Sequence, residues 1–272
     1  MLISEFDPWK SKLCTCPRKF SFSPYTGCSH SCIYCYITSY IPNAFKARPK
    51  KNLLKRLEKE IKKVDTYISM ANSSDPYTPE EKTYLLTRKS LEFFKRNNIK
   101  VLIITKSDLV TRDIDVLKNM RTSVSLTITT LNSKKAHFIE PKAPSPSKRI
   151  YALEKLSKAG IPCSVRVDPI IPGFNDDELE DIVEKVSKYC EHIVTSTIKP
   201  RYDSLRRIEK ILKIDKEKLI RIGRTFYLPK NIRFELLRRV EKACKSNNLS
   251  FATCREGYGF SSLSCDGSHL IS

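Results

Sequence analysis

Three cysteines near the start of the chain, Cys28, Cys32 and Cys35, constrain it more than any other feature. Their spacing, C-x-x-x-C-x-x-C, offers three ligands, whereas a structural zinc site needs four and usually pairs C-x-x-C units. Three thiolates suit a cubane iron–sulfur cluster with one iron left open. A helix would spread their α-carbons over roughly 10 Å, at about 1.5 Å per residue. Gly27 and the polar residues between the cysteines favour a loop instead. The spacing therefore predicts a cluster-binding loop rather than buried cysteines on a helix.

With Tyr34 directly before the third cysteine, this motif resembles the signature of the radical S-adenosylmethionine (radical SAM) superfamily. Over most of residues 20–200, the sequence resembles the spore photoproduct lyase-like branch of this superfamily. The resemblance implies a [4Fe-4S] cluster on Cys28, Cys32 and Cys35, whose open iron binds the amino and carboxylate groups of S-adenosylmethionine. It also implies reductive cleavage to a 5′-deoxyadenosyl radical, and thus an electron donor of the ferredoxin or flavodoxin type. The cofactors supply that chemistry, while the protein binds, orients and shields them.

The rest of the composition bounds the class of protein. At 272 residues the chain can bury a sizeable core. No stretch approaches the roughly 18 consecutive apolar residues of a membrane span. The first residues lack the charged region and cleavage site of a signal peptide, so we expect a cytoplasmic protein without a membrane partner. In that compartment the 10 cysteines stay mostly reduced, as metal ligands or small core residues.

A net charge of +20, from 50 basic and 30 acidic residues, predicts a nucleic-acid partner through phosphate contacts and counterion release. The alternative is that solvated helix faces carry the charge without a ligand. Basic residues recur in two stretches, 46–63 and 199–245. If a polyanion binds, the second stretch should lie on the rim of the active-site mouth. Charge reversal at Arg206, Arg207 and Arg224 should then weaken binding while sparing S-adenosylmethionine cleavage.

Segments of strand character alternate with segments of helical period along the chain. The predicted strands lie at about 19–26, 67–71, 101–105, 122–129, 162–168 and 192–198. The predicted helices lie at about 51–64, 80–97, 109–119, 146–159 and 176–189. This alternation indicates βαβ units and a parallel sheet with right-handed crossovers. About six units are too few for a closed eight-unit barrel. We predict an α/β fold, a partial parallel (βα)6 barrel of radical SAM type.

Three parts of the chain follow from this pattern. Residues 1–19 form an N-terminal extension with Cys14 and Cys16, and residues 20–200 form the barrel. Residues 201–272 form a basic, mainly helical C-terminal extension that ends in a strand-like segment and carries Cys254 and Cys265.

Polar residues at the strand ends are candidates for binding S-adenosylmethionine. Ser73, Ser74 and Asp75 follow the second predicted strand and supply acceptors for an ammonium group. Period-two alternation also places Thr127 and Arg166 inside the barrel. A buried arginine needs an anion, either a ligand or a rim partner such as Asp168. The resemblance further implies that Lys106 and Thr127 hold the carboxylate and that Tyr34 contacts the adenine. It extends to Glu140-Pro141, Ala143-Pro144 and Arg149.

Two features of the cysteines set this chain apart. Spore photoproduct lyases keep a hydrogen-donating cysteine just upstream of the amino-binding serine, and the segment from Met70 to Ser74 has no thiol. Four cysteines remain near the ends: Cys14, Cys16, Cys254 and Cys265. They could share a second metal, although C-x-C is poor zinc spacing, or act as separate thiols, one of them a hydrogen donor.

We therefore hypothesise a lyase-like radical SAM enzyme that acts on a nucleic acid, by lesion repair or base modification. One alternative keeps the radical chemistry and makes the substrate a protein. Another is a non-enzymatic nucleic-acid-binding protein in which the three cysteines and a fourth hold a structural metal. The open coordination position discriminates between enzyme and structural site, and a family likeness alone does not fix the substrate.

Overall fold

The computed structural model describes residues 1–6, 12–70, 73–209, 215–259 and 261–271. Within them, short apolar runs form buried strands, and amphipathic helices cover the outer face of the sheet. The helix Leu53–Glu60 is an example, because Leu53 and Leu57 are buried while Lys55 and Lys59 face solvent. Such one-sided helices bury their apolar stripe against the sheet. The predicted α/β class is confirmed.

The strands are β1 (Ser4–Glu5), β2 (Phe20–Phe22), β3 (Tyr25–Thr26), β4 (Arg48–Pro49), β5 (Ile68–Met70), β6 (Val101–Thr105), β7 (Thr122–Thr127), β8 (Cys163–Ile170), β9 (His192–Thr197), β10 (Ile220–Ile222), β11 (Thr225–Tyr227) and β12 (Ser250–Thr253). The α-helices are α1 (Leu53–Glu60), α2 (Glu81–Tyr84), α3 (Leu86–Arg96), α4 (Ile114–Leu117), α5 (Ser133–Ile139), α6 (Pro146–Lys158), α7 (Leu179–Ser187), α8 (Tyr202–Glu209) and α9 (Lys230–Ser246).

Eight strands form the central sheet, in the order β1-β2-β5-β6-β7-β8-β9-β12. All neighbours from β2 to β12 run parallel, and β1 pairs antiparallel with β2 at one edge. Strands β2 and β5 to β9 are the six that the sequence predicts for the barrel. The strand at 250–253 adds a seventh, after α9 has packed beside α7 and on β9. The sheet therefore extends beyond the barrel boundary predicted at residue 200.

Strands β7 and β8 have the alternation that the sequence predicts. Val124 and Leu126 in β7, and Cys163 and Val165 in β8, lie in the main hydrophobic core. The intervening residues point to the inside of the barrel, where Thr127 reaches a cavity. Apolar side chains thus hold the helices to the sheet, and polar ones are left for the interior.

One local prediction is wrong, and one helix is not predicted. The segment between α8 and α9 was expected to be helical, yet β10 and β11 form an antiparallel hairpin there. Ile220 and Ile222 alternate along β10, which is typical of a strand, and Gly223, with a φ of +62°, is typical of the turn that follows. Residues 210–214 of the predicted helical stretch lie outside the described residues. The sequence also does not predict α5, which Asn132 caps by accepting from the backbone N–H groups of Lys134 and Lys135.

The C-terminal tail, residues 261–271, fills the inside of the barrel near the N-terminal ends of its strands. Ile271 packs with Tyr67 and Leu102 in a small buried cluster. The backbone at Gly267 approaches Ser164 so closely that a Cβ would lie 2.9 Å from its Oγ. The tail is therefore part of the barrel interior. Among the described residues, no helix is long and apolar enough to cross a membrane.

Candidate active site

A cavity of about 540 Å³ opens at the carboxyl ends of the parallel strands, the usual ligand position in such sheets. The structure brings to its wall all ten residues predicted for the cofactors. These are Cys28, Cys32, Cys35, Tyr34, Ser73, Ser74, Asp75, Lys106, Thr127 and Arg166. A cavity of this size is in the range that holds a cofactor-sized molecule.

The cluster loop, residues 27–35, contains no helix or strand, as predicted. Gly27 begins it with a φ of +80°, and a Cβ there would lie 2.7 Å from the carbonyl oxygen of Ala44. Only glycine fits such a position. The N–H of Cys28 then donates to that same oxygen at 2.7 Å. This close approach of the two backbone segments thus fixes the position of Cys28, the first cluster cysteine.

Arg207, on α8, holds the other end of the cluster loop. Its Nε donates to the carbonyl oxygen of Ile33 at 3.0 Å, and its Nη2 donates to that of Cys35 at 2.6 Å. Nη2 also contacts Thr38 Oγ1 at 2.9 Å. The planar guanidinium of arginine can donate to several acceptors at once in a fixed geometry, whereas the single ammonium group of lysine cannot reproduce it. Arg207 therefore supports the cluster loop, so a charge reversal there would remove these contacts as well as a cation.

The three thiols are placed to bind an iron–sulfur cluster but not to share one metal ion. Burial raises the pKa of Cys28 to about 12, and it also raises those of Cys32 and Cys35. Iron must therefore displace protons when it binds. In the described parts of the chain, no three His, Cys, Asp or Glu side chains lie close enough to share one metal ion. A cubane is compatible with this arrangement, because each of its cysteines binds a different iron.

Asp75 organises the loop after β5. Its Oδ1 accepts from Thr105 Oγ1 at 2.6 Å and from the N–H of Tyr77 at 2.9 Å, and its Oδ2 accepts from the N–H of Lys106 at 2.8 Å. His30 Nε2 lies 3.4 Å from Oδ2. Burial raises the pKa of this carboxyl, but His30 and the hydrogen bonds outweigh burial and hold it at about 2. Asp75 lines the cavity as predicted, and its oxygens tie one strand-end loop to the next.

The two serines of this loop also lie on the cavity wall. Ser73 is half-buried and Ser74 is buried. Ser74 Oγ donates its proton to the carbonyl oxygen of Tyr25 at 3.0 Å. Its remaining capacity is that of an acceptor, which is what an ammonium donor requires.

A buried charge cluster lies behind Tyr34. Glu140 accepts from the Tyr34 hydroxyl and pairs with Arg149 at 2.5 Å. Lys106 Nζ lies 3.9 Å from Glu140 Oε1 and 5.7 Å from the centroid of the Tyr34 ring. Burial lowers the pKa of Lys106, but Glu140 and Cys32 reverse the shift and raise it above its ordinary value. Lys106 therefore remains an ammonium group on the cavity wall, able to meet a carboxylate.

Arg166 enters the cavity from β8 with an internal partner. Its Nη2 donates to Asp168 Oδ2 at 2.8 Å, and Ser196 Oγ donates to Asp168 Oδ1 at 2.6 Å. Burial raises the pKa of Asp168, but Arg166, Lys199 and Ser196 together outweigh burial and lower it to about 2. The rim pair foreseen as an alternative is thus present, so the charge of Arg166 is compensated within the protein.

Three of the four end cysteines, Cys16, Cys254 and Cys265, line the same cavity. The sulfurs of Cys16 and Cys265 lie 3.5 Å apart, and Cys14 is hydrogen-bonded to Cys16. Cys254 lies beside Arg166. The N-terminal and C-terminal pairs therefore meet, as a shared site requires. In the part of the chain that the structure describes, they do not form a group that could hold one metal ion.

Several predicted polyanion contacts are instead internal. Lys199 Nζ and Arg233 Nη1 contact Glu256 at 2.7 and 2.9 Å, and all three side chains are buried. Arg239 also has a partner, since it pairs with Glu180 at 2.6 Å, but that pair lies at the surface. The two basic stretches also keep many exposed cations, among them Lys46, Lys51, Lys55, Arg206, Arg221, Arg224 and Arg238. The charged stretches thus divide into internal supports and an external surface.

Sequence reasoning does not assign Tyr36, Tyr40 or Arg255 to the cavity, yet all three line it. Tyr36 directly follows the third cluster cysteine, and that adjacency was a usable signal. Arg255 follows β12, so its place depends on the seventh strand of the sheet.

A mostly parallel α/β sheet with a three-thiol loop at the carboxyl ends of its strands is the arrangement expected of a radical SAM protein. Residues 22–186 match the family model of the Radical SAM superfamily. An uncharacterised protein of Acidianus two-tailed virus is 30% identical over 229 residues, covering 74% of this chain and 75% of that protein. The chain belongs to the radical SAM superfamily, and it is a radical SAM enzyme.

Two solved structures share the fold. Spore photoproduct lyase in complex with dinucleoside spore photoproduct has a TM-score of 0.71 at 17% identity, over 94% of this chain and 78% of that one. SuiB of Streptococcus suis, bound to precursor peptide SuiA, has a TM-score of 0.60 at 16% identity, over 86% of this chain and 48% of that one. The predicted family and barrel type are confirmed, and the non-enzymatic alternative is set aside.

Proposed function

We propose that this enzyme uses a [4Fe-4S] cluster and S-adenosylmethionine to abstract hydrogen from a nucleic acid strand. When bound, the two cofactors supply a 5′-deoxyadenosyl radical, and an electron donor of the ferredoxin or flavodoxin type supplies the electron. The observation that carries the proposal is a set of tyrosine and arginine side chains at the same cavity as the cofactor residues.

The cofactor half of the cavity follows from donor and acceptor chemistry. Cys28, Cys32 and Cys35 would hold the cluster. Lys106 and Thr127 offer a cation and a hydroxyl donor to a carboxylate, and Ser73 and Ser74 offer oxygen acceptors to an ammonium group. The Tyr34 ring, fixed by Glu140, offers an apolar face to an adenine. Asp75 and Glu140 act as positioning residues, because their oxygens bind neighbouring protein groups.

The substrate half combines aromatic rings with guanidinium groups. Tyr36 and Tyr40 line the cavity, and the Tyr40 side chain is 41% exposed. The Arg201 guanidinium lies 5.6 Å from the Tyr40 ring centroid and 6.0 Å from that of Tyr36, while Arg255 lies 5.8 Å from Tyr36. Rings of this kind stack on bases, by about 1–3 kcal/mol per base, and arginine adds contacts to phosphate. This chemistry favours a nucleotide within a strand.

The first test measures turnover. Anaerobically reconstituted enzyme with S-adenosylmethionine and dithionite should form 5′-deoxyadenosine, and mixed DNA or RNA oligonucleotides should accelerate it. Tyr40→Ala should raise the KM for oligonucleotide about tenfold without lowering oligonucleotide-free cleavage, because only base stacking is lost. Cys32→Ala should abolish cleavage in every case. Mass spectrometry of nucleic acid from a deletion strain would identify the product.

The second test measures electrostatics. Log affinity for an oligonucleotide should fall by roughly 0.7 to 0.9 per phosphate contact per decade of salt. Reversing exposed Arg206 and Arg224 to glutamate should flatten this slope, while cleavage stays intact. Arg207 is left unchanged, because it supports the cluster loop. Failure of both DNA and RNA to bind at low salt would contradict the nucleic-acid proposal.

A protein substrate is the second candidate, and the likeness to the peptide-bound SuiB structure favours it. The charge would then belong to solvated helix faces. Acceleration of 5′-deoxyadenosine formation by a peptide library, with none by oligonucleotides, would put this candidate first.

A further inference from the structure

Two thiols from opposite ends of the chain are in contact in the cavity wall. The Cys265 thiol donates a hydrogen bond to Cys16, with 3.5 Å between the sulfurs, across a separation of 249 residues. Both residues line the cavity. A disulfide has sulfurs about 2.05 Å apart, so a shift of roughly 1.5 Å would join them. Neither residue belongs to the cluster-binding motif.

Charged groups around this contact favour a thiolate on Cys16. Lys19 Nζ lies 3.5 Å from Cys16 Sγ, and Asp266 holds that ammonium in place at 2.5 Å. Lys19 and Asp266 are both almost fully buried. Hydrogen bonds from Cys14 and Cys265 and the charge of Lys19 hold the pKa of Cys16 below its ordinary value, while the pKa values of Cys14 and Cys265 are raised. One nucleophilic sulfur thus faces one protonated partner.

We propose that Cys16 and Cys265 are a redox-active dithiol that low-molecular-weight disulfides oxidise to an intramolecular disulfide. The Cys16 thiolate attacks one sulfur of the oxidant RSSR, which forms a mixed disulfide and releases RS⁻. The Cys265 thiol then loses its proton and attacks Cys16, and the second RS group leaves as RSH. The protein gives up two electrons and one proton, and the oxidant gains them. The chemistry does not depend on which substrate the radical attacks.

Cys14 is the neighbouring thiol that could compete. It does not line the cavity, whereas Cys265 does. It is also separated from Cys16 by a single residue, and a disulfide over so short a loop must distort the backbone. Cys14 therefore serves as the matched control, and Cys265 as the resolving thiol.

The experiment uses the anaerobically reconstituted holoenzyme, so that the cluster cysteines are held by iron. The protein is equilibrated with mixtures of reduced and oxidised glutathione, quenched in acid, alkylated and mapped by mass spectrometry. Peptides containing Cys16 and Cys265 should be lost together and appear as one linked peptide. Cys14→Ser should give the same link, and iron content should stay constant through the titration.

A single-cysteine variant tests the assigned roles. In Cys265→Ser, oxidised glutathione should accumulate as an adduct on Cys16, since no resolving thiol remains. In Cys16→Ser, Cys265 should stay free for alkylation. A wild-type protein whose Cys16 and Cys265 are alkylated separately at every glutathione ratio would overturn the proposal. A Cys14–Cys16 link in place of the expected one would overturn it equally.

Discussion

The Arg207 guanidinium donates to two carbonyl oxygens and one hydroxyl of the cluster loop and its continuation. The shape of that loop therefore depends on a residue 172 positions further along the chain. Hydrogen bonds from a charged donor are worth about 1.5–3 kcal/mol each.

Arg207→Lys should weaken cluster retention. A lysine keeps the charge but not the fork, so at least one of the carbonyl contacts is lost, and that costs about 1.5 kcal/mol. Iron loss to a chelator should become about tenfold faster. The rate is measured from the decay of the cluster's absorbance. Arg206→Lys, at an exposed position of the same helix, is the control. Equal rates of iron loss in both variants would contradict the role given to Arg207.

Glu140→Gln should destabilise the protein strongly. Arg149 is 1% exposed and pairs with Glu140 at 2.5 Å, so the substitution leaves a buried cation without its anion. Breaking such a pair costs about 3–5 kcal/mol. Denaturant unfolding should report the loss. Glu154→Gln, which breaks an exposed pair with Lys158, should change the free energy of unfolding by less than about 1 kcal/mol. Similar losses in the two variants would refute the prediction.

Site residues could be predicted where the spacing of residues in the sequence is itself typical of a binding site. The three cysteines follow from their pattern, and Ser73 and Ser74 follow from their position after a strand. The use of Asp75 as a loop anchor could not be predicted, because it depends on where the N–H of Lys106 lies. Only the family resemblance points to Glu140 and Arg149, since nothing in their own segment indicates that they are buried together.

At the scale of elements, a polar row crosses four neighbouring strands inside the barrel. Ser125, Ser164, His192 and Ser250 are paired in register across β7, β8, β9 and β12. His192 Nδ1 lies 2.8 Å from Ser250 Oγ, and the His269 ring meets the His192 ring edge-on at 4.9 Å. Burial, and then the charge of His269, lower the pKa of His192 to about 3. The row therefore holds an imidazole that stays neutral in the folded state.

This row predicts a pH dependence of stability. Between about pH 6.5, the ordinary histidine pKa, and the folded-state pKa of about 3, the unfolded chain binds a proton that the folded one does not. His192 should therefore lower the free energy of unfolding by about 1.4 kcal/mol for each pH unit of acidification in that window, and have no such effect above it. His192→Asn should show a correspondingly shallower loss in denaturant titrations. His137→Asn, at an exposed histidine, should keep the wild-type slope; if His192→Asn does too, the prediction fails.

Most elements could be predicted because their periods are strong. Strand Val101–Thr105 is predicted to the residue, since an uninterrupted apolar run admits little else. The β10–β11 hairpin was missed because basic residues on its exposed face resemble those of a solvated helix. Strand β12 was visible as a segment, but its place beside β9 depends on long-range pairing that no local pattern encodes.

At the scale of the whole molecule, the tail unites the two ends of the chain. Asp266 contacts Lys19 at 2.5 Å and the Tyr67 hydroxyl at 2.7 Å, while Gly267 lies against Ser164. The barrel interior is thus completed by residues far outside the predicted barrel domain. Division into extension, barrel and extension describes the order of the chain better than its packing.

Gly267→Ala should destabilise this closure. The added Cβ would meet Ser164 Oγ at 2.9 Å, and overpacking of this kind costs about 1–3 kcal/mol. Gly173→Ala is a matched control, because Gly173 also has a positive φ but has no atom within 4 Å of an added Cβ. Thermal unfolding should show a lower Tm for Gly267→Ala than for Gly173→Ala. Identical Tm values would mean that the tail is not tightly packed in the barrel.

The clamp by Arg207 also has a consequence for the order of events during synthesis. Ribosomes extend a chain by about 5–20 residues per second, so the 172 residues between Cys35 and Arg207 take about 10–30 seconds to make. During that interval the three thiols have emerged without the side chain that shapes their loop. We therefore expect iron and sulfide to be inserted only after Arg207 has been made and has reached the loop.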